Sequence, residues 1–367
     1  MPNRSKNILI ASGGTGGHVF PAQALAKQLQ KKEYNVLFMG KGLDRNKYFR
    51  RDLFASHSID SATPFRKGIF KKILSIVSLA RGIWQAFLEI KEFQPTVVIG
   101  FGSFHSFPVL VAAFLRKIPI VLFESNSVPG KVNRLFSRYS LFCGIQFPQA
   151  KERLKGTCHE VVMPFWAEED FQEIVKKEAL DYFSLEADVF TVLVFGGSQG
   201  AAFINPIVAQ SLRLLHQENK PIQVIHMTGC EISSETIKII YQESKMQASV
   251  KAFEKNMQLA WASADLVICR AGAATIAEMI EFEVPSILIP YPISADQHQL
   301  KNALFLSDKI KGSYCLEEKN LTSEKLLFLL KECNPERMKT AIQLFKIQKQ
   351  KKELIDHIEE VLKENDR

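Results

Sequence analysis

A histidine follows a run of glycines near the N-terminus, in Gly13-Gly14-Thr15-Gly16-Gly17-His18. Asn7–Ala11 (NILIA) before it reads as a strand, and Phe20–Lys32 after it as a helix. Glycine at such a junction lets backbone N–H groups approach a phosphate at the positive end of the helix. A neutral imidazole in the first helical turn can accept a proton, and the helix N-terminus favours the neutral form. The competing reading of His18 is a cap or packing residue. A second loop of this kind, Gly196-Gly197-Ser198-Gln199-Gly200, follows Thr191–Phe195 (TVLVF). Two loops of this type suggest one ligand held between two domains; the plainer reading of each is a tight strand-to-helix turn.

Spacing disfavours the commonest ligands of such loops. A dinucleotide fingerprint counted from Gly14-x-Gly16 would need its last glycine where Val19 stands. The next strand should end in an acid for the ribose, but it ends Met39-Gly40-Lys41. A P-loop from Gly13 would need glycine and lysine where His18 and Val19 stand.

The elements around these loops alternate. Strand-like runs at Val36–Gly40, Thr96–Gly100, Ile118–Phe123 and Ser140–Cys143 are bounded by Gly or Pro and separated by helical stretches. The pattern restarts at Thr191–Phe195 and continues through Ile222–Met227, Leu266–Cys269 and Ser286–Pro290. Apolar runs of this length read as parallel strands buried on both sides. The expectation is an α/β chain of two doubly wound domains, 1–163 and 164–339. An amphipathic segment, Pro335–Lys363, should pack back on a domain, and 340–367 is assigned to completing the first.

With 367 residues, 46% hydrophobic and 23% charged, the chain has the composition of an ordinary folded protein and enough length for two domains. Lys+Arg 47 against Asp+Glu 39 gives +8, a surplus suited to a polyanion, an anionic membrane or a phosphorylated substrate. Six scattered cysteines without metal-ligand spacing read as buried small hydrophobes in a reducing compartment. No signal peptide pattern is present, and no uninterrupted apolar run approaches the roughly 20 residues of a spanning helix.

Taken in order, the motifs resemble one family. Gly13 to Ala22 (GGTGGHVFPA) is similar to the N-terminal signature of the MurG family of bacterial N-acetylglucosaminyltransferases, glycosyltransferase family 28. Gly100-Phe101-Gly102-Ser103-Phe104 resembles its second glycine loop, and Glu124-Ser125-Asn126 its Glu-x-Asn segment. Gly196 to Ala201 resembles the start of its second domain. Cys269 to Glu278 (CRAGAATIAE) resembles its nucleotide-binding strand, loop and helix, and Asp296 to Ala303 (DQHQLKNA) its sugar-binding motif. The resemblance spans about residues 7–305 and implies a GT-B fold, two Rossmann-like domains facing across a cleft. It implies inverting transfer of GlcNAc from UDP-GlcNAc to the muramoyl 4-hydroxyl of lipid I, undecaprenyl-pyrophosphoryl-MurNAc-pentapeptide. No metal or other cofactor is expected, and the chain contains no Asp-x-Asp.

Roles follow residue by residue from that resemblance. His18 is the first choice for the base and Glu124 the second. Thr15, Gly16, Gly17, Asn126, Ser198, Gln199, Phe253, Glu254, Arg270, Ala273, Ala274, Thr275, Glu278, His298 and Gln299 are assigned to UDP-GlcNAc. Among these, Glu278 would accept from both ribose hydroxyls, and the amides around Ala273 and Ala274 would hold the diphosphate. Arg270 would add a cation or serve as a structural ion-pair partner. Phe253 and Glu254 would meet uracil through backbone, and His298 and Gln299 would read GlcNAc hydroxyls, with Asp296 as their orienter or a cap. Gly13, Gly14, Gly102 and Ser103 are assigned to the acceptor pyrophosphate. The chain departs from the family pattern at Met163-Pro164-Phe165-Trp166, where an Asn-Pro-x-Arg segment would supply an arginine to the nucleotide. Ser103 also replaces a glycine, and Phe123 a polar residue.

A lipid-linked acceptor requires a docking surface. Arg66-Lys67-Gly68-Ile69-Phe70-Lys71-Lys72 opens a helical run to about Lys91. Its apolar residues cover roughly 240° of the helical wheel, where a core-facing stripe needs a little over 100°. Ile69, Phe70, Lys71, Lys72, Ile73, Leu74, Val77 and Trp84 are therefore expected to dock on an anionic membrane surface. The other readings are a helix buried on two sides or a dimer contact. The expected setting is peripheral, on the cytoplasmic face of the bacterial inner membrane, with other cell-wall synthesis proteins as further partners and no nucleic acid. The alternatives are another UDP-GlcNAc-using GT-B enzyme, such as a 2-epimerase or a transferase to a different acceptor, and a non-catalytic UDP-sugar-binding subunit.

Overall fold

Apolar runs that lie between two helical layers lose all contact with water. Ile8, Leu9, Ile10 and Ala11 are fully buried, as are Val98, Ile99, Val192, Leu193, Val194, Val267 and Ile268. The computed structural model describes residues 6–63, 68–162, 174–196, 202–218, 220–348 and 352–365. They form two compact units, the first holding the described residues up to 162 and from 352, the second those from 174 to 348.

The first unit runs β1 (Asn7–Ala11), α1 (Gly16–Lys31), β2 (Asn35–Gly40), β3 (Ala55–Ser58), α2 (Ile69–Phe93), β4 (Val97–Gly100), α3 (Ser103–Leu115), β5 (Ile120–Glu124), α4 (Lys131–Phe136), β6 (Phe142–Ile145) and β7 (Cys158–Glu160). Among the described residues its strands lie in the order β3-β2-β1-β4-β5-β6-β7. Every pairing is parallel.

The second unit runs α5 (Lys176–Tyr182), β8 (Phe190–Phe195), α6 (Ile204–Gln217), β9 (Ile222–Met227), α7 (Glu231–Glu243), β10 (Ala248–Lys251), α8 (Met257–Ser263), β11 (Leu266–Cys269) and α9 (Ala273–Phe282). It continues through β12 (Ser286–Leu288), α10 (His298–Leu304), β13 (Ser313–Cys315), α11 (Ser323–Glu332) and α12 (Pro335–Gln348). Its parallel sheet has the order β10-β9-β8-β11-β12-β13. Both sheets change direction of winding beside their first strand, between β1 and β4 and between β8 and β11. Open α/β sheets leave a crevice for ligands at the carboxyl ends of the strands at such a point.

The segment 340–367, assigned from sequence to the first domain, is divided. Helix α12 buries Met338 and Ile342 in the second unit, and its Lys346 reaches Glu281 at 3.3 Å and Glu283 at 3.6 Å. Helix α13 (Leu354–Asn365) returns to the first unit, where Leu354, Ile355, Ile358 and Leu362 join the core of Ile8, Ile10, Leu25 and Leu29. The cysteine expectation also needs correction at one position. Cys143 and Cys269 are buried, but Cys230 is exposed, and a hydrogen bond with Ser233 lowers its thiol pKa.

Candidate active site

In the first unit, β1 delivers the Gly13–Thr15 loop and α1 begins at Gly16. His18 is half-buried in the first turn, and its Nδ1 lies 2.8 Å from the Phe101 carbonyl at the end of β4. A carbonyl can only accept, so Nδ1 carries the proton and Nε2 is the nitrogen able to take one. The pairing of Ala11 with Gly100 brings these two strand ends side by side.

Sequence reasoning missed His105, which joins the two glycine loops. A Cβ added at Gly13 would lie 3.0 Å from His105 Cβ, and one at Gly14, where φ is 86°, would lie 2.9 Å from its Nδ1. Only glycine gives the imidazole room to lie on this backbone. Ser103 Oγ accepts from the His105 amide at 3.4 Å and lies 2.7 Å from Nδ1. Burial lowers the His105 pKa, and His18 and Lys41 lower it further. Ser103 itself has φ 68°, a left-handed conformation that favours glycine. The signal was its position two residues beyond a serine that occupies a glycine site.

Glu124, the second choice for the base, is engaged by its own loop. Its buried carboxylate accepts from the Asn126 amide at 3.0 Å, the Gly130 amide at 2.9 Å and Asn133 Nδ2 at 2.9 Å. Burial raises its pKa against the opposing pull of these bonds. Both oxygens thus hold the loop 125–130 closed, with Asn126 half-buried upon it.

In the second unit, β11 ends at Cys269, Gly272 caps α9, and Ala273, Ala274 and Thr275 form the first turn. Glu278 sits one turn further, half-buried, with Oε2 accepting from Trp261 Nε1 at 2.9 Å. Burial pushes its pKa up to about 7, with the indole bond opposing. Arg270, expected as a ligand cation or a structural ion-pair partner, is engaged by protein groups. It is buried, its Nη1 donates to the Ile289 and Pro290 carbonyls at 3.2 and 3.3 Å, and Glu318 lies 2.5 Å away.

Phe253 is exposed, whereas Glu254 is buried and bonded to Lys251 at 2.6 Å and to the Asn256 amide at 2.9 Å. Gln299 Oε1 accepts from the Tyr291 amide at 2.9 Å, and His298 Nδ1 lies 2.8 Å from the Ala295 carbonyl. Asp296 and Gln297 before them are both left-handed. Ser198 and Gln199, the Met163–Trp166 segment, and Arg66 and Lys67 lie outside the described residues.

All eight expected docking residues of α2 are exposed, Phe70 to 80% and Trp84 to 63%. The helix packs instead through Ser75, Gly82, Ala86 and Ile90. A Cβ added at Gly82 would lie 1.7 Å from the Asp60 carbonyl oxygen, so this contact needs glycine. By length and composition alone α2 could cross a membrane, but cations interrupt its apolar run and this packing ties it along the first unit. A second apolar group went unpredicted: Phe114, Leu115, Leu135, Tyr139 and Leu141 are exposed. Arg116 lies over Phe87 and Arg138 over Tyr139, each at 4.5 Å.

The fold recurs in known nucleotide-sugar enzymes. The crystal structure of Acinetobacter baumannii MurG superposes with a TM-score of 0.77 at 25% identity, covering 98% of this chain and 99% of that one. A UDP-glucose:anthocyanidin 3-O-glucosyltransferase in complex with UDP shares the fold at 14% identity and a TM-score of 0.64, covering 94% of this chain and 93% of that one. Two parallel α/β units with loops at each winding reversal define a GT-B glycosyltransferase. Residues 8–141 match the glycosyltransferase family 28 N-terminal domain and residues 191–361 its C-terminal domain. The UDP-N-acetylglucosamine--N-acetylmuramyl-(pentapeptide) pyrophosphoryl-undecaprenol N-acetylglucosamine transferase of Protochlamydia amoebophila is 46% identical over 325 residues, 88% of this chain and 86% of its own length. The chain belongs to glycosyltransferase family 28.

Proposed function

We infer that the chain moves GlcNAc from UDP-GlcNAc to the muramoyl 4-hydroxyl of lipid I, giving lipid II for peptidoglycan. The observation that carries the chemistry is His18, with Nδ1 tied to the Phe101 carbonyl at 2.8 Å. Nε2 takes the proton of the acceptor hydroxyl as its oxygen forms a bond to the anomeric carbon. The bond from that carbon to the UDP oxygen breaks on the opposite side, so configuration inverts. The charge left on UDP is met at the positive end of α9 by the amides around Ala274 and Thr275. Glu278 takes the ribose hydroxyls, His298 and Gln299 the sugar, and the Gly13–Gly14 and Gly102–Ser103 loops the acceptor pyrophosphate. His105, lying across the glycine loop, supports that last assignment.

The acceptor is lipid-linked, and the exposed face of α2 supports docking to an anionic membrane surface as a peripheral protein. Phe114 and Tyr139, with Arg116 over Phe87 and Arg138 over Tyr139, extend that surface, and the two cations would stay at the headgroups.

UDP release distinguishes the readings. UDP should form from UDP-GlcNAc when a lipid I analogue is added and remain at background without it. His18→Ala should lower kcat about 100-fold or more while the donor KM moves little. Undiminished turnover would remove His18 as base. Epimerised sugar without acceptor would favour the epimerase reading, and donor binding without any turnover the non-catalytic one.

A further inference from the structure

We propose that Trp261 is a positioning residue for the donor, its indole N–H holding the Glu278 carboxylate in the orientation that accepts two ribose hydroxyls. This rests on the reading of Glu278 as the ribose acceptor and adds the residue that makes that acceptor work. Trp261 in α8 is fully buried, and its Nε1 donates to Glu278 Oε2 at 2.9 Å. Phe195 meets the indole edge-on at 5.5 Å and 86°, and Phe282 stacks on it at 6.2 Å and 13°. Phe195 is the last residue of β8, directly before the second glycine loop, and Phe282 lies one turn beyond Glu278 on α9. The ring is therefore fixed by the strand and the helix that frame the winding reversal of the second sheet. An indole clamped this way cannot swing its N–H elsewhere without opening a void.

Among the described residues no second protein donor reaches the Glu278 carboxylate. Trp261 supplies its one hydrogen bond among these residues, and the side chain is partly buried. A carboxylate oxygen has two acceptor positions, so Oε1 is open to one hydroxyl and Oε2 keeps a position for the other. An indole N–H can only donate, so it favours the ionised carboxylate over the acid, which would itself need an acceptor. This counters the burial that pushes Glu278 up to about 7. The other titratable group coupled to Glu278 is Cys269 of β11, which burial keeps a neutral thiol. Lys346 of α12 is taken by Glu281 and Glu283.

Calorimetric titration of the full chain with UDP and with 2′-deoxy-UDP, from pH 5.5 to 9, tests the proposal. For the unaltered chain, UDP affinity should fall as pH drops through about 7, because the protonated acid accepts from one hydroxyl fewer. In Trp261→Phe that midpoint should rise by about one pH unit. The preference for UDP over the deoxy ligand should shrink several-fold, and kcat at saturating donor should stay within about twofold. Trp261→Phe added to Glu278→Gln should weaken UDP no further than Glu278→Gln alone. An unmoved midpoint, or equal weakening of both ligands, would overturn the positioning role and leave the ribose reading standing. If Glu278→Gln retained the full preference for UDP, the ribose reading itself would fall, and the proposal with it. Should Trp261→Phe fail to fold, β-(3-benzothienyl)alanine at 261 keeps the shape and removes only the N–H, with the same outcomes expected.

Discussion

Ser103 shows how much a single residue type can say. A serine at φ 68° carries backbone strain that a glycine does not, of about 1 kcal/mol. Its hydroxyl bridges to His105 and holds that ring against the glycine loop. Ser103→Gly and Ser103→Ala both remove the hydroxyl, and only the first relieves the strain. Ser103→Gly should therefore be the more stable of the two by about 1 kcal/mol in urea unfolding. Equal stabilities would mean the backbone is unstrained there. The departure from the family pattern was legible in the sequence, but its consequence was not, because His105 acts through a fold in which β1 and β4 are neighbours. Arg270 and Glu124 likewise depend on contacts that only the fold makes. Their partners, Glu318 for the first and the 126–133 turn for the second, turn a group that looks chemical into one that holds the frame.

Among elements, helix α2 illustrates how pattern can outrun packing. Its wide apolar arc was readable, and the structure adds that Ser75, Gly82, Ala86 and Ile90 do the packing while Ile69, Phe70, Ile73, Leu74, Val77 and Trp84 face outward. Small residues bring the helix axis close to the unit, which leaves Ile69, Phe70, Ile73 and Leu74 standing clear of it. Each such side chain moved from water into lipid contributes up to about 1.5–3 kcal/mol. Phe70→Asp with Leu74→Asp should thus weaken sedimentation with anionic vesicles at least tenfold, by about 1.4 kcal/mol or more. Turnover of a water-soluble acceptor should be unchanged, and folding stability within about 0.5 kcal/mol, because both residues are exposed. Vesicle binding equal to that of the unaltered chain would exclude α2 as the docking element. The strands tell the converse story. The nine found from sequence are interior strands, and the four missed, β3, β7, β10 and β13, are the outer strands of the two sheets. An outer strand is covered on fewer sides, so polar residues suffice, as in Ala55-Ser56-His57-Ser58 and Cys158-His159-Glu160.

For the whole molecule, the chain passes from the first unit to the second and then returns, so the first core is completed by the last helix. Leu354, Ile355, Ile358 and Leu362 are buried against β1 and α1, the elements that carry the glycine loop and His18. Gln28 adds a hydrogen bond to Glu353 at 2.7 Å and Lys32 an ion pair with Glu359 at 2.9 Å. Four buried aliphatic side chains at about 1.5 kcal/mol or more each approach the roughly 5–15 kcal/mol by which a domain is stable. Removing 352–367 should therefore unfold or severely destabilise the first unit while leaving the second intact. Calorimetry with and without UDP separates the two, since a ligand raises the melting temperature only of the unit that binds it. The UDP-sensitive transition should persist near its original temperature, and the other should fall by more than 10 °C or vanish. Turnover should disappear with it, because His18 stands in the unit that melts. A shortened chain keeping both transitions would show that the core of β1 and α1 closes without α13, and that the buried face of this helix contributes little to holding His18 in place.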